Sequence, residues 1–267
     1  MGVVVDYISN AVISAVTQLW QVFGLTFLIA YLLQVVGSRI RGNGVGKFGD
    51  IYWYAVAPGV ACHETGHAMG CFVTGTKLHK FVPFCRERNT LGYIIHNAPK
   101  GRLRGLISII ISAGPIWFGC IMIMLLTWLL VGDITIARWR NYFAADSIPS
   151  AIEYGTALMG AALDCYGAAF SSANVASPFF WIWLYLVYCI ASEIGLSSVD
   201  FGHMKRGLIN IVLFFLILSL FPGTGKMFNV GVFVIMPYLF RLHALMVAAL
   251  GLNFSIYLVA RFLFRVI

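Results

Sequence analysis

The sequence predicts an all-α polytopic membrane protein with about six transmembrane helices and a small β element between the second and third spans. Hydrophobic residues make up 60% of the 267 positions and charged residues 10%, and the mean hydropathy is +0.88. Soluble domains carry about 25% charged residues. Many of the apolar residues fall into runs near the length of about 20 residues that a helix needs to cross a bilayer. We therefore expect a single membrane-embedded domain over residues 1–267.

Six apolar runs are the candidate spans. They lie at 11–36, 52–75, 105–131, 177–195, 208–222 and 229–260, and the last is long enough to bend or divide. The first run is too long for the apolar region of a cleavable signal, so we interpret it as a retained, accessory first helix. Residues 216–267 are expected to form the C-terminal helices.

Basic residues lie mainly in the segments between these runs. The formal charge of +8 therefore indicates orientation in a membrane, with the lipid bilayer as the partner, and not binding to nucleic acid. Seven basic residues lie between positions 77 and 104, against three between 37 and 50. We place the 77–104 segment on the cytoplasmic side of a multi-pass protein of the cell membrane.

The second apolar run contains His63, Glu64 and His67 in the pattern H-E-x-x-H. One ionisable residue near the centre of a membrane helix costs roughly 2.5 to 3.5 kcal/mol, so three within five residues need a compensating partner. Residues i and i+4 share one face of a helix, which lets both imidazoles reach one metal ion. Glu64 can then act as a general base on water at that ion, as in a metal-dependent hydrolase.

The depth of this motif follows from the helix rise. If the aromatic residues at 52–54 mark one membrane surface, His63 lies roughly 16 Å below it, and His67 lies roughly 13 Å from Thr76 at the other end. We expect the site to be inside the membrane and nearer the cytoplasmic side.

Two histidines leave a zinc ion short of the three protein ligands that catalytic sites usually supply. Asp164, Glu193 and Asp200 are the candidates for the third ligand, and Cys62 and Cys71 are less favoured ones. Asp200 follows an interrupted helix, where unwound backbone is tolerated if it lines a cavity. The same aspartate could instead cap the next helix.

Residues 91–96, "LGYIIH", read as a β-strand entered through Gly92. The free edge of such a strand could capture an extended peptide by strand addition, through Gly92, Tyr93 and Ile94. A connector on the membrane surface is an equally good interpretation.

Taken in order, these features resemble the site-2 protease family of intramembrane zinc metalloproteases. HETGH lies in an early span, an extended segment precedes a helix with Gly114-Pro115, and an aspartate follows a later interrupted helix. The resemblance covers a metalloprotease core over residues 50–215. It implies Zn²⁺ as the cofactor, His63, His67 and Asp200 as its ligands, Glu64 as the catalytic base and a membrane protein as the substrate.

The chain departs from the family where the family has an Asn and prolines leading into Leu-Asp-Gly. Here Ser192 and "SSVDFG" stand in that region, while Leu163-Asp164 offers a rival Leu-Asp step. Asp164 would be the better ligand if residues 153–175 crossed the bilayer on their own. Glu193 would suit a different membrane zincin, of the prenyl-protein endopeptidase type, which lacks the Gly-Pro step.

The sequence thus predicts a zinc-dependent intramembrane endopeptidase. The alternative is a membrane metal transporter or metal-sensing protein in which the histidines bind the ion that is carried or sensed. That alternative needs further polar residues along a path through the membrane, and the runs after position 208 contain few. It also has no use for the glutamate beside the first histidine.

Overall fold

The computed structural model describes residues 2–87, 91–132, 151–221 and 224–264. About 80% of the described residues are helical. The first half contains α1 (Gly2–Leu19), a π-helical turn (Trp20–Gly24), α2 (Leu25–Phe48), α3 (Ile51–Ala55), α4 (Ala57–Val73), β1 (Leu78–Val82), β2 (Tyr93–His96), α5 (Arg104–Ser112) and α6 (Gly114–Leu130). The second half contains α7 (Ala151–Ala169), α8 (Ser172–Val175), α9 (Pro178–Glu193), α10 (Ser198–Ser219) and α11 (Thr224–Phe264).

Within the described ranges, two helices are long and apolar enough to cross a membrane, Ser198–Ser219 and the Ile235–Phe262 part of α11. The pair α5 and α6, bent by 41°, gives a third if it counts as one span. The prediction of about six spans is therefore not supported by the described part of the chain. The boundaries predicted for the first helix, the core and the C-terminal helices stay predictions.

The missing spans have a physical explanation in helix breaks that hydropathy does not show. The 52–75 run is divided at Val56 into α3 and the 17-residue α4, and the 177–195 run forms the 16-residue α9. Helices of this length are roughly 25 Å long, shorter than the hydrocarbon core of about 30 Å. A π-helical turn also divides the 11–36 run.

Helix α9 lies at the centre of the helical assembly. It packs against α2, α4, α6 and α11 and contributes buried Phe180, Trp183, Val187 and Ile190 to the main apolar core. Ser177 caps its first turn by accepting a hydrogen bond from the Phe179 amide. The C-terminal end of α9 lies against α4 at the level of the histidines.

Helices α4 and α6 cross at two glycines. A Cβ built on Gly66 would lie 2.7 Å from the Pro115 Cα and from the Gly114 carbonyl carbon, and Gly114 in turn lies against the Gly66 carbonyl oxygen. Small residues of this kind allow helix backbones to approach closely. The Gly114-Pro115 step therefore sets the distance between α6 and the helix that carries the histidines.

Replacing Gly66 by alanine is expected to lower the thermal unfolding temperature in detergent. The new methyl group meets backbone atoms that cannot rotate away, and overpacking of this kind costs about 1–3 kcal/mol. Gly167→Ala is the matched control, since a Cβ at this position in α7 meets nothing within 4 Å. An equal unfolding temperature for both variants would contradict the close crossing.

The β element lies between α4 and α5, as predicted. Strands β1 and β2 form an antiparallel sheet in which Leu78 pairs with His96 and Val82 with Tyr93, with an irregularity between Leu78 and Lys80. The strand expected at 91–96 is confirmed at Tyr93–His96. The partner strand β1 was not predicted from the sequence.

Candidate metal centre

The two histidines of α4 turn their rings toward each other. Pro58 lies in the first turn of α4, where its missing N–H has no intrahelical partner to lose. One turn separates His63 from His67, and their Nε2 atoms are 3.1 Å apart. Both side chains are largely buried, with exposed fractions of 15% and 10%.

Backbone carbonyls hold both rings in one orientation. The Nδ1 of His63 is 2.6 Å from the carbonyl oxygen of Glu193, and the Nδ1 of His67 is 2.9 Å from that of Ile111. A carbonyl oxygen can only accept, so each Nδ1 carries the proton and donates it. In the neutral rings both Nε2 lone pairs then point into the same space, as is typical of metal-binding histidines.

Both carbonyls lack the usual helical partner four residues further on, because a helix ends or breaks beside them. Glu193 is the last residue of α9. The amide that would bond Ile111 in a continuous helix belongs to residue 115, which is proline and has no N–H, so Ile111 keeps only the Ala113 amide as a backbone donor. These helix interruptions leave acceptor capacity on both carbonyls, which the histidines use.

Asp200 lies opposite the two imidazoles. One carboxylate oxygen, Oδ1, is 3.1 Å from the His67 Nε2, and Oδ2 is 3.7 Å from the His63 Nε2. One ligand atom from each of the three residues lies within 4.8 Å of the others, and this group could hold a metal ion. Among the described residues, it is the only group of three or more histidine, cysteine or acidic side chains whose ligand atoms lie this close together.

Asp200 also contributes to the start of α10. Ser197 is the N-cap, and its side chain accepts from the Asp200 amide at 3.1 Å. The Asp200 Oδ2 in turn accepts from the Ser197 amide at 3.0 Å and from its hydroxyl at 2.6 Å, which completes a capping box. Ser197, and not Asp200, is therefore the N-cap, and the capping box orients the carboxylate that faces the histidines.

The other candidate ligands lie outside this group. Asp164 is on α7, which is not among the helices long and apolar enough to span a membrane. Glu193 pairs with Arg41, with 2.5 Å between Oε2 and Nη1, and offers the histidines its carbonyl and not its carboxylate. Cys62 and Cys71 are free thiols outside the metal-binding group.

A cavity of about 670 Å³ opens beside the histidines. Glu64 lines it together with His63, His67, Asp200 and strand β2, so the predicted base shares one space with the predicted ligands. Gly92, Tyr93 and Ile94, the residues predicted to contact a peptide, also line this cavity.

The close approach of Gly92 to Glu64 links the strand to the predicted base. A Cβ on Gly92 would lie 2.7 Å from the Glu64 Cγ and 2.9 Å from the Pro83 carbonyl oxygen. His203, one turn after Asp200 on α10, lines the cavity as well.

Three contributors to the site were missed from the sequence. The carbonyls of Glu193 and Ile111 have no side-chain signal, although Pro115 four residues after Ile111 indicates a free acceptor. Ser197 had a readable signal, since serine three residues before an acidic residue is typical of a capping box.

Fold and site together define a helical protein with candidate membrane spans and a candidate His-His-Asp metal centre. Comparisons with protein-family models, with curated proteins and with solved structures found no match.

Proposed function

We propose that this protein is a zinc-dependent intramembrane endopeptidase of the site-2 protease type. The observation that carries the proposal is the convergence of two imidazole lone pairs and one carboxylate beside Glu64 in an open cavity. A cation held between these three groups would be attracted by all of them. If His63 and His67 served only in helix packing, there would be no reason for the glutamate beside them.

The donor set fits zinc. Two imidazole nitrogens and one carboxylate supply three protein ligands, and a catalytic zinc site keeps a fourth position open for water or substrate. When bound, the ion would polarise the substrate carbonyl and lower the pKa of a bound water toward about 7. Asp200 contributes the anionic ligand, and the two carbonyl acceptors keep the histidine rings in the metal-binding tautomer.

Glu64 is the base in this proposal. Its side chain lines the cavity next to His63 and His67 and is half-buried. From there its carboxylate can take a proton from the attacking water and pass it to the leaving amine, which is the general acid–base role at such sites. Glu64 is kept near β2 by the contact with Gly92.

Strand β2 positions the substrate. One edge of β2 pairs with β1, and its residues 93–96 line the cavity that contains Glu64. An extended peptide added to the other edge would have its backbone held by main-chain hydrogen bonds beside the metal centre. The substrate class that fits is a membrane-spanning or membrane-adjacent segment of another protein, locally unwound.

We also propose that the chain crosses the cell membrane several times, with the sheet on the cytoplasmic side. The support is the pair of apolar helices, the bent pair α5 and α6, and the basic residues around the sheet. Helices α4 and α9, which are too short to span the full bilayer, would then lie among the other helices.

Metal removal tests this function directly. Protein purified in detergent is expected to contain about one zinc per chain. It is also expected to cleave members of a panel of dye-labelled single-span peptides. Treatment with 1,10-phenanthroline should abolish cleavage, and added Zn²⁺ should restore it, as measured by gel mobility and mass spectrometry.

Two outcomes would overturn the proposal in different ways. Absence of zinc from the wild type would overturn the metal site. The HETGH residues would then serve in helix packing, with an imidazolium paired to Asp200. Bound zinc without cleavage of any peptide would overturn the protease and favour a metal transporter or sensor, which uptake of ⁶⁵Zn²⁺ into vesicles would then separate.

A further inference from the structure

One short segment supplies two of the contacts that define the metal centre. This segment runs from the end of α9 to the first turn of α10. In it the Glu193 carbonyl oxygen accepts from the His63 ring, and the Asp200 carboxylate lies against the His67 ring. The position of residues 192–200 therefore sets the geometry of both histidines at once.

Helix α2 lies directly behind this segment. Gly37 approaches the Ser192 carbonyl oxygen so closely that a Cβ would collide with it. A Cβ on Gly195 would lie 2.6 Å from the Gln34 amide nitrogen, which is again a backbone contact. Two glycines, one on each side, thus allow the backbone of α2 to lie against the segment on both sides of Glu193.

A buried ion pair completes this contact. Arg41 of α2 places Nη1 2.5 Å from the Glu193 Oε2, and the two side chains are only 18% and 10% exposed. The second oxygen of the carboxylate, Oε1, is buried and has no hydrogen-bond partner. Burying two charges is costly, and an apolar pair of similar volume is often as stable or more stable. Simple packing therefore does not account for Arg41 and Glu193.

We propose that Arg41 and Glu193 are positioning residues of the metal centre. The ion pair fixes the end of α9, which aims the Glu193 carbonyl at the His63 Nδ1 and would keep the His63 Nε2 lone pair directed at a bound metal ion. This inference rests on the metal site of the proposed function and not on proteolysis. It also makes α2 a part of the site, although residues 25–36 of this helix lie in the run predicted to be accessory.

Co²⁺ titration tests the inference without any substrate, because the visible absorption bands of bound Co²⁺ report its ligand geometry. Arg41→Met is expected to weaken Co²⁺ binding about 10- to 100-fold, the usual effect of losing a contact behind a ligand histidine, and to shift these bands. Arg41→Lys, which keeps the charge, should recover part of the affinity.

The double variant Arg41→Met with Glu193→Leu separates positioning from stability. Replacing both charges by apolar side chains should return the unfolding temperature to the wild-type value or above it. We expect Co²⁺ affinity to stay low, because no charge pair fixes the end of α9. A purely structural role predicts the opposite, namely that affinity recovers together with stability.

Tyr154→Phe is the matched control for general destabilisation. It removes the 2.8 Å hydrogen bond to the buried His243 ring, in the α7–α11 contact away from the metal centre. It should lower the unfolding temperature and leave Co²⁺ affinity and spectrum unchanged.

The outcomes distinguish the two proposals. Wild-type affinity and spectrum in the folded Arg41 and double variants would overturn the positioning role alone, as would an equal spectral change in Tyr154→Phe. Failure of the wild type to bind Co²⁺ would overturn the metal site itself and the positioning role with it.

Discussion

Glu64→Gln is expected to bind zinc as the wild type does and to lose cleavage by about 10²- to 10⁴-fold, the usual contribution of a general base. The reason is the division of roles in the site. The metal-binding group consists of His63, His67 and Asp200, while Glu64 lines the cavity without belonging to it. Glutamine keeps the shape of the side chain beside Gly92 but cannot take up the proton of the water. Zinc content and peptide cleavage are measured on the same preparation.

Glu87→Gln is the control for this substitution. Glu87 is an exposed carboxylate in the segment between the two strands, so its neutralisation should leave both zinc content and cleavage unchanged. Full activity in Glu64→Gln would remove the base from the mechanism. Loss of zinc in Glu64→Gln would make Glu64 a ligand instead.

Asp200→Asn is expected to weaken zinc binding by more than about 100-fold, since even contacts behind a ligand contribute 10- to 100-fold. The substitution removes the anionic member of the group that faces the His67 Nε2 at 3.1 Å. It keeps a side-chain oxygen that can still accept from Ser197, so α10 should stay capped. Zinc affinity is measured by competition with a chromophoric chelator, and helicity by circular dichroism.

The comparison that decides the third ligand is Asp164→Asn, the same chemical change on α7. We expect zinc affinity to be unchanged in this variant, because Asp164 lies outside the group that the structure brings together. Zinc loss in Asp164→Asn with retention in Asp200→Asn would reverse the assignment.

The sequence indicated the members of the candidate metal group more directly than the spans. His63 and His67 follow from their spacing on one helix, while Asp200 was favoured over Asp164 by the resemblance and its place after an interrupted helix, and the structure brings these three residues together. The role of Glu64 stays a prediction. The spans failed because hydropathy averages over a run and does not register the break at Val56 or the early end of α9. Strand β1 was missed because three of its five residues are exposed and its burial does not alternate.

The rest of the site depends on backbone atoms. Which carbonyl meets which imidazole is decided by the crossing of α4 with α6 and by the contact of α2 with α9, both of which rest on glycines far apart in the chain. No pattern in residue type over a short window encodes such pairings. Only Pro115, by removing one amide, leaves a local trace of them.

The carbonyl partners of the two histidines also determine the charge of the centre. Histidine ligands in many proteins donate their other ring N–H to a carboxylate. Here both acceptors are uncharged carbonyls, and the charge of the nearby Glu193 carboxylate is balanced by Arg41. The two positive charges of the proposed zinc ion therefore face two carboxylates, Asp200 and Glu64, and the sum is zero. A neutral total suits a low-dielectric interior, where a net charge is expensive to hold. Asp200, the buried ligand, therefore carries the charge that solvent cannot replace, whereas Glu64 lines an open cavity in which water can screen its loss.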